Sequence, residues 1–190
     1  CNTINDEATR LARLIDDLLD ISSLEVGSLS ISRQKVELER LFTDVASKIR
    51  PAMIKQDILF NTLFPAKLPD IFLDKDKFSS ALVNLLGNAA KYTPSGGTVS
   101  FKVKLKEGVL TVDIEDTGVG IAENEQERIF EKFYRSSDAR VQSEVGTGLG
   151  LPFAREVIRL LGGTIKVSSE IDEGSCFTIH LPVEEATSHV

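Results

Sequence analysis

Three short stretches hold the residue types that handle phosphates, hard metal ions and flat nitrogen-rich rings. The first is NLLGNAAKYTP, from Asn84 to Pro94. Its Asn84, Asn88, Lys91 and Tyr92 stand at i, i+4, i+7 and i+8, so on a helix they share one face. An amide oxygen is a hard ligand of the kind Mg²⁺ accepts, and a lysine ammonium neutralises phosphate charge. The second is DTGVGI, from Asp116 to Ile121. Its glycines let the backbone approach a planar ligand. A carboxylate there accepts from an exocyclic amine, which adenine has and guanine lacks at that position. The third is GTGLGL, from Gly146 to Leu151, glycines that open a helix and offer N–H groups to anionic oxygens, aided by the helix dipole. Each stretch alone has a plainer reading: a solvated helix face, a turn-capping Asp, a flexible loop with a helix cap. The spacing G-x-G-x-G is not a dinucleotide fingerprint, and the chain has no G-x-x-x-x-G-K-[ST].

The elements that must position these residues follow from periodicity. Residues 3 to 23 read as one long amphipathic helix, with Ile4, Ala8, Leu11, Leu14 or Ile15, Leu18 and Ile21 recurring at spacings of three and four. An extended stretch from Ser28 to Leu38 leads to a helix from Glu39 to Gln56, which Pro51 ends or kinks. Strands are expected at Ile58 to Phe64 and Ile71 to Leu73. A helix from Asp74 to Tyr92 has Phe78, Leu82, Leu85 and Ala89 as its apolar stripe. Residues 98 to 106 and 109 to 115 alternate as a hairpin about Glu107-Gly108. A short helix is expected near Glu125 to Phe130, then a polar, aperiodic mobile loop at Ser136 to Val145. A helix from Leu149 to Leu161 ends at Gly162-Gly163. Strands at 164 to 169 and 176 to 181 close the domain. The order implies an α+β two-layer sandwich, a mixed sheet covered on one face by helices and preceded by one long helix.

Taken together and in this order, the three motifs resemble the ATP-binding domain of sensor histidine kinases, within the group that includes gyrase, Hsp90 and MutL. The resemblance covers nearly the whole chain and implies the Bergerat-type ATP-binding fold with ATP and Mg²⁺ as cofactors. It assigns Asn88 to the metal, and Asn84, Lys91 and Tyr92 to the phosphates and base. It assigns Asp116 to the adenine amine, with Gly118, Gly120 and Ile121 as the wall. Gly146, Thr147, Gly148, Leu149, Gly150 and Leu151 then form the glycine loop, and Ser175 lies near the base. Ile129 to Arg135 (IFEKFYR) resembles the F box, in which aromatics such as Phe130 and Phe133 pin a lid and Arg135 reaches the phosphates. Asn84, Lys91 and Arg135 are the residues implied to carry the transfer. Leu11 to Gly27 resembles the second helix of the dimerisation hairpin. The implied division is a hairpin helix at 1–27, a catalytic domain at 28–183 and a tail at 184–190.

The remaining features narrow the function. A formal charge of −7 argues against nucleic-acid binding, and no apolar run reaches ~18 residues, so no membrane segment is expected. The start at Cys1 suggests a piece of something longer, and two cysteines in no metal or redox spacing suggest a cytoplasmic setting. The parent is free to be membrane-anchored. Cys176 reads as a small buried apolar residue. His180 reads as structural and His189 as solvated, so the phosphoacceptor histidine would lie upstream. The resemblance then implies three partners: the phosphoacceptor hairpin of the same kinase, a response regulator receiver domain, and a second copy in a homodimer. An ATP-driven clamp is the main rival. Such relatives place a carboxylate where Asn84 stands, and an amide cannot act as a base. A degenerate binding-only module is less favoured, because Asn88, Asp116 and the glycines are intact.

Overall fold

The computed structural model describes residues 30–184. The helix expected at 3 to 23 and the tail beyond Glu184, including His189, lie outside the described residues. Strand β1 (Gln34–Glu37) runs straight into helix α1 (Leu38–Lys55), followed by β2 (Leu59–Leu63) and β3 (Asp70–Leu73). Helix α2 (Lys75–Tyr92) precedes the hairpin strands β4 (Thr98–Lys106) and β5 (Val109–Asp116). Two 3₁₀ turns, Glu123–Glu125 and Arg128–Phe130, lead to a single helical turn, α3 (Ala139–Gln142). Helix α4 (Gly150–Leu160) and strands β6 (Thr164–Glu170) and β7 (Gly174–Pro182) complete the domain.

The main sheet has the order β2-β4-β5-β7-β6. Only β2 to β4 is parallel; the other pairings are antiparallel. Alternation decides which face is covered. Val99, Phe101, Val103, Leu110, Val112, Ile114, Phe177, Ile179 and Leu181 are buried under the helices. The intervening residues form a polar open face, where Lys102 pairs with Glu115 and Thr178 donates to Asp113 at 2.8 Å. Cys176 belongs to that open face and is only partly covered. The reading of it as a buried apolar residue is therefore wrong by one strand position, since side chains alternate with a period of two. His180 lies on the same face, opposite Thr111 and Thr164.

Helix α1 buries Leu41, Phe42, Val45, Ile49 and Met53 on one stripe. It passes through exposed Pro51 without ending there, because Ile49 and Met53 on either side are anchored in the core. Phe42 from α1, Phe78 from α2 and Phe101 from β4 meet with Phe64 at ring-centroid distances of 5.0–6.4 Å. Such pairs each add about 0.5–1.5 kcal/mol beyond their burial. They lock α1 and α2 onto the sheet, and so fix the face of α2 that carries Asn84 and Asn88. β1 and β3 form a separate two-stranded sheet, with Val36 opposite Ile71. The Glu107-Gly108 turn has positive φ at both residues, +53° and +73°, as a two-residue hairpin of this hand requires.

The start of α2 is set by Asp74, which is buried. Its carboxylate accepts from Lys77 N–H at 3.1 Å, as an N-cap, and from Ser32 N–H at 2.9 Å. One side chain thus joins the segment before β1 to the helix that bears the first motif. Replacing it leaves two donors without a partner. Asp74→Ala is expected to lower stability by about 1–3 kcal/mol in urea unfolding. A change within experimental error would show that neither bond stabilises the fold.

Candidate functional site

The three motifs converge on one cavity of about 1070 Å³, at the upper end of the range for small-ligand clefts. Asn84, Asn88, Lys91 and Tyr92 line it from α2, Asp116, Gly120 and Ile121 from the end of β5, and residues 146–151 from the glycine loop. Direct contacts hold the motifs together. Val119 N–H donates to the Tyr92 carbonyl at 3.1 Å. The space beside Gly150 is filled by the Asn84 amide, whose Oδ1 lies 3.3 Å from where a Cβ would stand. The same position at Gly146 is 2.9 Å from Lys91 Nζ. Ser175 reaches the cavity because it is paired with Asp116 across β5 and β7.

Asp116 is the chemically unusual group. Its side chain is on the covered face of the sheet, 7% exposed. Burial pushes its carboxyl up from an ordinary 3.8 to about 6, against backbone N–H bonds from Gly118 and Ser175 that favour the charge. The Gly118 bond is 2.8 Å. A carboxylate carried inward at this cost marks a candidate ligand site. Two glycines make the burial possible. Gly174, at φ +109°, lies so close that a Cβ would overlap the Asp116 carbonyl oxygen. Gly120, at φ +71°, sits in the same way against the Glu170 carbonyl. Only glycine lets the DTGVGI turn and the β6–β7 turn approach this closely.

The segment from 134 to 148 covers one side of the cavity. The Ser136 to Val145 stretch is not without structure, since Asp138 caps one helical turn at Ala139–Gln142. Buried Glu125 accepts from Tyr134 Oη at 2.8 Å, Ser136 Oγ at 2.6 Å and Ser137 N–H at 3.2 Å. Burial opposes its charge, but these hydrogen bonds outweigh it and hold the carboxyl below its ordinary value. Arg140 bridges to Asp172 on the β6–β7 turn at 2.6 Å. Both candidate phosphate cations rest on carbonyls of this segment: Arg135 donates to Val141 and Glu144 at 2.6 Å each, and Lys91 donates to Val145 at 2.5 Å. Three backbone oxygens thus occupy the cations that a polyphosphate would claim.

Two expected residues are not on the cavity wall. Phe133, which the resemblance counts among the nucleotide-binding residues and with Phe130 as a pin of the lid, is 62% exposed at φ +64° and absent from the cavity lining. Its neighbour Tyr134 lines the cavity instead. Gly118 sits behind Asp116, where it serves as hydrogen-bond donor rather than wall. Lys48 and Lys55 of α1 also face the cavity. Their seven-residue spacing places them on one helix face, but among charged surface residues that spacing carries no signal of its own. For a metal, the described residues contain no group of three His, Cys, Asp or Glu. The donor set fits Mg²⁺ held by one amide oxygen, that of Asn88, with phosphates and water completing the shell.

Comparisons with known proteins agree with this geometry. Residues 73–185 match the family described as Histidine kinase-, DNA gyrase B-, and HSP90-like ATPase. The chain is 32% identical over 186 residues to the sensor histidine kinase WalK of Bacillus subtilis, covering 95% of this chain and 30% of that protein. It is 40% identical over 173 residues to the adaptive-response sensory kinase SasA of Rippkaea orientalis, covering 90% of this chain and 44% of that protein. The chain therefore spans less than half the length of these relatives. The structure of full-length ShkA, solved in complex with AMPPNP, superposes with a TM-score of 0.84 at 27% identity, over 100% of this chain and 39% of that one. With the family match running from Leu73 at the end of β3 through the last strand of the sheet, the chain belongs to the histidine kinase-, gyrase B- and HSP90-like ATPase family.

Proposed function

We propose that this domain binds ATP with Mg²⁺ and transfers the γ-phosphoryl group to a histidine on a phosphoacceptor hairpin of its parent sensor kinase. That phosphoryl group would then pass to a response regulator receiver domain, with two copies of the kinase forming the working dimer in the cytoplasm. The observation that carries the reading is the convergence of Asn88, Lys91 and the buried Asp116 on one cavity. Adenine sits at the β5 end with its amine against Asp116, and the phosphates run toward Asn84, Lys91 and the N-terminus of α4. Mg²⁺, when bound, offsets phosphate charge, and Asn88 is the residue that holds it. Transfer of this kind depends on positioning and charge neutralisation, with little covalent chemistry left to the protein. Asn84 is an amide rather than a carboxylate, which disfavours water activation and so the clamp reading. Among the described residues no helix is long and apolar enough to cross a membrane.

Asn88→Ala is expected to abolish Mg²⁺-dependent nucleotide binding in calorimetry while the circular dichroism spectrum is kept, because Asn88 lies off the buried Leu82–Leu85 stripe. Normal MgATP binding by that variant would remove the metal assignment. Asp116→Asn is expected to weaken ATP by about 1–3 kcal/mol. The sign of the pH effect is also fixed. A donor amine favours the ionised carboxylate, so ATP affinity should fall as pH drops through about 6. The fall should be steeper in the wild type than in Asp116→Asn; parallel curves would contradict the contact.

The 134–148 segment is proposed as a lid that exchanges its own carbonyls for phosphate oxygens. Hydrogen exchange over Val141 to Val145 should slow when a non-hydrolysable ATP analogue binds. Exchange that is already slow and unaltered by nucleotide would count against the lid. For the transfer itself, the domain with labelled ATP should label an added parental hairpin and not itself, through a bond that is acid-labile and base-stable. Label on the domain that disappears in His180→Ala would reassign the acceptor.

A further inference from the structure

A polar cluster lies one layer behind the base end of the cavity. Ser169 Oγ stands at its centre and does not itself line the cavity. It accepts from Ile121 N–H at 2.8 Å, donates to the Gly174 carbonyl at 2.7 Å, and lies 3.0 Å from Ser175 Oγ. Gln126 Nε2 fixes the same strand by donating to the Ser169 carbonyl at 2.8 Å. Ser175, 8% exposed, does line the cavity, and it is registered opposite Asp116.

A hydroxyl has one proton and two lone pairs. The Gly174 carbonyl cannot donate, so it takes the Ser169 proton. Ile121 N–H occupies one lone pair of Ser169, and the other is left for Ser175. The Ser175 proton is thereby drawn away from the cavity, and Ser175 presents lone pairs beside the Asp116 carboxylate. Both polar side chains at this end then accept and neither donates. A 6-amino purine offers two N–H bonds to such a surface, whereas a 6-oxo purine brings a third acceptor.

We propose that Ser169 is a positioning residue for nucleobase choice, holding the Ser175 hydroxyl in its accepting orientation so that the base end selects a 6-amino over a 6-oxo purine. The inference rests on the adenine reading above and goes beyond it, since it places part of the discrimination in a residue the base does not touch. A merely structural Ser169 would affect both kinds of purine equally when changed.

The test is calorimetric titration with ATP and ITP, the latter carrying oxygen at position 6. In Ser169→Ala the Ser175 proton is free to turn into the cavity and meet that oxygen. The ATP-to-ITP affinity ratio should fall about five- to tenfold, and Ser169→Thr, which keeps the hydroxyl, should restore it. Ser175→Ala alone should also narrow the ratio, and adding Ser169→Ala to it should change the ratio no further. A wild-type ratio in folded Ser169→Ala overturns the proposal. So does a wild-type ratio in Ser175→Ala, a variant that decides the matter even if Ser169→Ala fails to fold. A wild type that binds ATP and ITP equally would instead remove the adenine reading beneath it.

Discussion

The constraint on which the rest of this domain depends is a carboxylate held where water is scarce. Asp116 ends the second strand of the hairpin, on the face that the helices cover. Raising it from 3.8 to about 6 corresponds to roughly 3 kcal/mol of cost for keeping the charge above that pH. The folded chain then holds a proton between about pH 4 and 6 that the unfolded chain has released, so stability falls as pH climbs through that window and levels off above it. The surrounding backbone is shaped around this group. Gly174 and Gly120 permit the close approach of two turns, and Gly118 and Ser175 direct N–H groups at the carboxylate. In the proposed function, the amine of the base is what this carboxylate is held to bind.

The side proposed for the phosphates follows the opposite logic. There the charges are cationic and half-exposed, and they are already satisfied by the protein itself. Lys91 and Arg135 rest on the carbonyls of Val141, Glu144 and Val145, while Glu125 and Asp172 fasten the same segment at its other points. In the proposed lid, nucleotide entry is an exchange of acceptors rather than the filling of an unpaired site. In that reading phosphate oxygens compete with the segment's own carbonyls for Lys91 and Arg135.

Much of this was legible in the sequence, for identifiable reasons. The bounds of α2 follow from Asp74 and a clean Phe78–Leu82–Leu85 stripe, and the hairpin from strict alternation about Glu107-Gly108. The helix period alone places Asn84, Asn88 and Lys91 on one face, whereas Asp116 was singled out only by its company with the other two motifs. What was not legible depended on long-range pairing. The separate β1–β3 sheet needs contacts between segments more than 30 residues apart. Cys176 was placed on the wrong face because one position of alternation decides burial. The hydrogen bonds of Glu125 and Ser169 come from partners brought in by other strands and turns, and the exposure of Phe133, at φ +64°, has no signal in the sequence.

The most direct test of the central claim is the titration of the Asp116 carboxyl carbon by NMR, with and without a saturating adenine nucleotide. The account predicts a midpoint near 6 in the free domain that moves downward when an amine donates to the carboxylate. A free-domain midpoint in the ordinary aspartate range near 3.8, or an upward shift on binding, would contradict it.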